Sequence, residues 1–275
     1  MRKSILTLSL MGVLAVSNSA FAEDAASEAH SHPEEKGTAP ASAAAAEEAS
    51  PHTVVFNIGL FSQYIFRGLT QTDEDPALQG GVDYSHSSGF YLGTWASNIS
   101  WLEDADLYDD SKVEIDVYGG FRNTIGETGV AYDVGLLQYI YPGDKNSGVK
   151  SAETTEVYGS LGYKWITGKL SVVVSDGAFG LDEADGSWYA ELNGAIPIGE
   201  TGFTVIAHVG RQEFNGSGND AGDYTDWKLG ATKSWSNGVN VGGYYTDTNA
   251  KDSFYTIDGD NIGDEQFTVF VQKTF

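Results

Sequence analysis

From residue 54 onward, apolar side chains recur at every second position, while the positions between them are polar or glycine. Val54, Phe56, Ile58 and Leu60, followed in the same phase by Tyr64 and Phe66, share one face; Asn57, Gly59, Gln63 and Arg67 share the other. A repeat of two is that of a β-strand, whose successive side chains point to opposite sides. The pattern returns in the run from Lys112, where Val113, Ile115, Val117, Gly119 and Phe121 oppose Glu114, Asp116, Tyr118, Gly120 and Arg122. Val130, Tyr132, Val134 and Leu136 oppose Ala131, Asp133 and Gly135; Val157, Gly159, Leu161, Tyr163 and Trp165 oppose Glu156, Tyr158, Ser160, Gly162 and Lys164. Further runs open near Leu78, Phe90, Leu170, Trp188, Phe203, Trp227, Val239 and Phe267, giving about twelve strands. The run at Phe90 reads in two registers, since Phe90, Leu92 and Ala96 compete with Tyr91, Trp95 and Ile99 for the oily face.

The connections select the architecture. Tight ones at 85–89, 124–129, 166–169, 197–202 and 236–238 alternate with longer ones at 69–76, 100–111, 142–153, 177–186, 215–223 and 247–265. A meander sorted in this way predicts an all-β fold: a transmembrane antiparallel up-and-down β-barrel with short periplasmic turns and longer extracellular loops. Aromatics at Tyr64, Phe66, Tyr163, Trp165, Trp227 and Trp235 fit girdles at the two membrane interfaces. The final run carries Phe267, Val269, Val271, Lys273 and Phe275 on one face, and Phe275 is the expected signal for the barrel assembly machinery. Barrel closure removes the exposed edge that such a strand would otherwise present. Arg211, Lys233 and Lys273 interrupt the oily face near strand ends. There a long basic side chain reaches the headgroups at a cost of about 0–1 kcal/mol, against about 2–4 kcal/mol at the midplane.

The chain of 275 residues has 15 Lys plus Arg against 39 Asp plus Glu, a formal charge of −24, which argues against nucleic acid as a partner. Without cysteine there is no disulfide frame, thiolate metal site or cysteine nucleophile. The mean hydropathy of −0.25 resembles that of a soluble protein, but a barrel strand shows lipid only one face and averaging hides it. Residues 1–22 read as a secretory signal, with Arg2 and Lys3, an apolar stretch over 5–16 and Ala20-Phe21-Ala22. Residues 23–52, rich in Ala and Glu and devoid of aromatics, read as a disordered periplasmic linker, with His30 and His32 part of a solvated tail. The outer-membrane barrel is expected over 53–275.

The segment from Ser62 carries Tyr64-Ile65-Phe66-Arg67-Gly68, then Gln71, Pro76, Gln79-Gly80-Gly81 and Gly89-Phe90-Tyr91 with Gly93 and Trp95. In this order the residues resemble the opening of the TorF family of porin-like proteobacterial outer-membrane proteins, and the resemblance extends from about residue 53 to Phe275. It implies a barrel of porin type in the outer membrane of a Gram-negative bacterium and supplies no substrate.

The strand register sends Arg67, Asp83, Glu114, Asp116, Arg122, Asp133, Glu156, Lys164, Glu191, Asp226 and Lys228 inward, seven acids against four bases. Two readings of this lumen stand. One is a narrow conduit for small hydrophilic solutes or ions, favouring cations. The other is a closed structural or adhesive barrel, plugged by charges paired across it and by Tyr118, Tyr139, Tyr158 and Tyr244. A secreted soluble β-protein is a third and weaker reading.

The long connections form an acidic rim of Asp73, Glu74 and Asp75; Glu103, Asp104, Asp106, Asp109 and Asp110; Asp182, Glu183 and Asp185; Asp258, Asp260, Asp264 and Glu265. Such a rim concentrates cations. Asp258, Asp260 and Gly263 match part of a calcium loop, but Ile262 and Val269 stand where oxygen ligands belong, so they remain weak metal candidates. His208 is expected to hydrogen-bond in the lumen, and no arrangement of base and nucleophile points to an enzyme. No cofactor is expected. The expected partners are outer-membrane lipid and lipopolysaccharide, the assembly machinery, and small solutes or cations.

Overall fold

The computed structural model describes residues 50–275, so the signal and most of the linker lie outside the described residues. Twelve strands form the wall: β1 (His52–Phe61), β2 (Ala77–His86), β3 (Phe90–Asn98), β4 (Val113–Thr124), β5 (Val130–Ile140), β6 (Thr154–Tyr163), β7 (Ile166–Val173), β8 (Trp188–Pro197), β9 (Phe203–Glu213), β10 (Tyr224–Ser234), β11 (Val239–Thr248) and β12 (Gln266–Thr274). Each pairs antiparallel with its chain neighbours, and β12 closes onto β1 through Asn57 opposite Thr274 to Phe61 opposite Phe270. Short turns occupy one end and the six long connections the other.

Alternation sets the two faces. The oily positions read from the sequence point outward, with Leu60 54%, Leu136 54%, Leu161 58% and Phe267 64% exposed, as a barrel wall facing lipid requires. Among the described residues no helix is long and apolar enough to cross a membrane. Tyr163, Trp165 and Trp235 lie toward the turn end and Trp227 toward the long connections. Lys233 donates to the Thr201 carbonyl and lies over Phe203 and Trp235, while Lys273 donates to the Asn237 carbonyl and lies over Phe275. Arg211 is tied to Glu213 at 3.3 Å and Asp223 at 3.8 Å.

The structure settles the β3 register: Phe90, Leu92 and Thr94 face out, and Tyr91, Trp95 and Ser97 are buried inside. Lumenal aromatics lie against glycines of neighbouring strands. A Cβ on Gly93 would stand 2.4 Å from the Tyr118 ring, and one on Gly135 would stand 2.5 Å from the Tyr158 hydroxyl oxygen. These glycines make room for large rings inside a narrow cylinder.

Two expectations are corrected. The turn after β6 is only Lys164 and Trp165, with Lys164 at φ +53°, so the strand resumes at Ile166 rather than beyond Lys169. Tyr64 and Phe66 do not continue the outer face, because β1 stops at Phe61 and the chain turns into the lumen.

Candidate functional site

The inward segment begins where Ser62 ends the wall, its N–H donating to the Val269 carbonyl at 2.9 Å. Ile65–Phe66 and Leu69–Thr70 then form a two-stranded ribbon turned by Arg67 and Gly68, at φ +47° and +83°. Positive φ at both central residues is the mark of a type I′ hairpin, and glycine supplies the second without strain. The Gln71 N–H donates to the Tyr64 carbonyl at 2.8 Å, and the Tyr64 N–H donates to Thr72 Oγ1 at 3.1 Å, which closes the base of the hairpin. Its tip crosses to the opposite wall. A Cβ on Gly68 would stand 2.5 Å from Thr248 and 2.6 Å from Asp226, so only glycine fits there.

Arg67 is the tip's anchor. Its guanidinium donates to both carboxylate oxygens of Glu156 at 2.8 Å and to Gln212 Oε1 at 2.8 Å, and it lies 4.3 Å from the centre of the Tyr189 ring. A second connection enters beside it. Phe179, at φ +51°, donates its N–H to Thr154 Oγ1 and packs its ring against Phe66 and Tyr139. Arg67 therefore faces the lumen from a hairpin tip and not from a strand.

The remaining expected lumenal residues divide by exposure. Toward the long connections, Glu114, Asp116, Glu156 and Asp226 are sealed at 1%, 0%, 1% and 1% exposure. Tyr64 donates to Glu114 at 2.7 Å, and Tyr189 donates to Asp226 at 2.9 Å. Toward the turns, Arg122 and Asp133 are only half-buried, and so are Glu191 in β8 and Lys228 in β10. Tyr118 donates to Asp83 and Tyr91 to Asp133, both at 2.6 Å. Both ring nitrogens of His208 are engaged, Nε2 with Asp226 at 2.9 Å and Nδ1 with Asn193 at 2.7 Å.

Lys164 is the exception, exposed in the short turn. Lys169, absent from the expected set, takes its place inside, 4.0 Å from Glu191 and 4.6 Å from the centre of the Tyr158 ring. Its signal was available: carrying the β7 alternation back from Leu170 puts Lys169 on the inner face. The inward balance therefore stays at seven acids against four bases.

At the rim, Lys150 binds Asp176 and Asp182 at 2.5 and 2.7 Å, which raises the lysine pKa and lowers that of Asp182. Asp73 is pushed up by its surroundings and by the nearby Asp104 and Asp260. Asp258 shares a small cavity with Asp73, Asp104 and Trp101. Among the described residues no three His, Asp or Glu converge to hold a metal ion.

A closed antiparallel cylinder with an oily coat and a charged, tyrosine-rich interior defines the class of transmembrane β-barrels. The chain belongs to Gcw_chp, a bacterial family of unknown function, whose profile matches residues 45–275. The fold is similar to that of the KdgM porin, at 7% identity and a TM-score of 0.50 over 80% of this chain and 99% of that one. An outer membrane channel from Pseudomonas putida F1 matches at 13% identity and a TM-score of 0.47 over 86% and 100%. The outer membrane protein OprD from Pseudomonas aeruginosa matches at 13% and 0.37 over 81% and 65%. No curated protein matches the chain.

Proposed function

We propose that this protein is a narrow porin of the Gram-negative outer membrane, passing small hydrophilic solutes or ions by diffusion with a preference for cations. The observation that carries the reading is the inward excess of seven acids over four bases within a closed twelve-stranded cylinder. The acidic rim adds to it by raising the cation concentration at the mouth. The resemblance of the Tyr64–Gly68 motif to the TorF family supports the same class. In this reading the hairpin is the constriction, membrane lipid and lipopolysaccharide surround the oily face, and the assembly machinery reads the strand that ends in Phe275.

One observation favours a second reading, a closed structural barrel: the level of Asp116 and Glu156 is sealed from water by the hairpin and its neighbours. Single-channel recording of the folded protein in a planar bilayer under a salt gradient separates the two. Discrete steps with a cation-directed reversal potential are expected of the porin. Folded protein that gives no steps would establish the closed barrel.

A further inference from the structure

Asp116 lies at the most enclosed level of the lumen, on the inner face of β4 between Glu114 and Tyr118, and it is 0% exposed. Across the wall it is paired with Trp95 of β3 and Tyr139 of β5, both themselves buried. Neither carboxylate oxygen has a hydrogen-bond donor. Every other inward acid has at least one: Tyr118 serves Asp83, Tyr64 serves Glu114, Tyr91 serves Asp133, Arg67 serves Glu156, Asn193 serves Glu191 and Tyr189 serves Asp226.

The bases whose field reaches Asp116 are Arg67 and Lys169. Arg67 is engaged through both oxygens of Glu156, and Lys169 stands beside Glu191. Near the hairpin, the acids Glu114, Asp116 and Glu156 therefore lie within reach of one another, with Arg67 already taken by Glu156 and Lys169 standing beside Glu191. A buried carboxylate without donors is strongly unfavourable unless a cation joins it or it takes up a proton, and the cluster of three acids makes the cation the partner to test.

We infer that Asp116 is a binding site for a single monovalent cation, of the size of potassium or sodium, held beneath the hairpin. A divalent ion is the poorer match, since it calls for several converging carboxylates, and none converge among the described residues. The inference concerns binding and stands whether or not the barrel conducts.

The test is the thermal unfolding midpoint of the full folded protein in detergent, read by tryptophan fluorescence, in potassium chloride and in N-methylglucamine chloride of equal ionic strength. A ligand that binds only the folded state raises the midpoint, so the wild type is expected to unfold about 3 °C or more higher in potassium. Asp116→Asn keeps the shape and removes the charge. It is expected to abolish that difference and to unfold above the wild type in N-methylglucamine, where the wild-type carboxylate is uncompensated. Asp133→Asn, in the half-buried part of the lumen, is expected to keep the potassium effect. Equal wild-type midpoints in the two salts, or a potassium effect that survives Asp116→Asn, would overturn the inference.

Discussion

The two halves of the lumen are lined by the same strands with the same alternation, yet they differ in kind. Where Lys169 and Glu191 stand, 19% and 17% of the side chains stay exposed, and the pair is a loose 4.0 Å with Lys169 over the Tyr158 ring. On the loop side Glu156 is 1% exposed, and its bonds to Arg67 and Tyr139 leave no room for solvent. The strands do not produce the contrast. A segment belonging to neither wall face produces it, by filling a cylinder too wide for its own side chains to close. The lesson is that strand number sets the diameter, while an inserted connection decides how much of it stays open.

The sharpest way to break the contrast is Arg67→Ala. It removes the tip's anchor and leaves Glu156 buried without its guanidinium, so a loss of about 3–5 kcal/mol is expected. The urea unfolding midpoint reads this loss, and an unchanged midpoint would show that the hairpin is not held by its tip. Tyr64→Phe tests the base of the hairpin. Removing a hydrogen bond to the Glu114 carboxylate is expected to lower stability by about 1.5–3 kcal/mol in the same assay. The smallest change is expected on the solvated side. Lys169→Met acts on a loose 4.0 Å pair and should shift stability by about 1 kcal/mol or less. A larger loss there than at Tyr64 would reverse the ranking of the two halves.

The contrast also separates what was legible in the sequence from what was not. The oily face was legible because lipid imposes one requirement on every outward position, and Leu60, Leu136, Leu161 and Phe267 all meet it. The alternation of short and long connections was legible for a related reason, since each end of a meander repeats its own demand. The hairpin was not. Tyr64 and Phe66 kept the phase of β1, although Ser62, a polar residue at an oily position, marks the place where the wall ends. A buried ribbon inside a barrel has the same alternation as a strand in its wall, so periodicity cannot tell them apart. The partners of Arg67 lie 89 and 145 residues away, and no local spacing points to Glu156 or Gln212. Lys169 was hidden by a turn drawn too long, because Lys164 at positive φ allows a two-residue reversal.

That span of sequence bears on the order of folding. The hairpin follows β1 directly, so its ribbon is made of neighbours in the chain and its own turn is a local event. Its anchor at Glu156 and Gln212 must wait for β6 and β9, and β1 itself meets β12 only after the whole meander has formed. Contacts separated so far along the chain come at a high loop-closure entropy and tend to form late. The hairpin is therefore synthesised directly after the first strand and is among the last pieces to be seated: it reaches across a cylinder whose far wall did not yet exist when its turn was made.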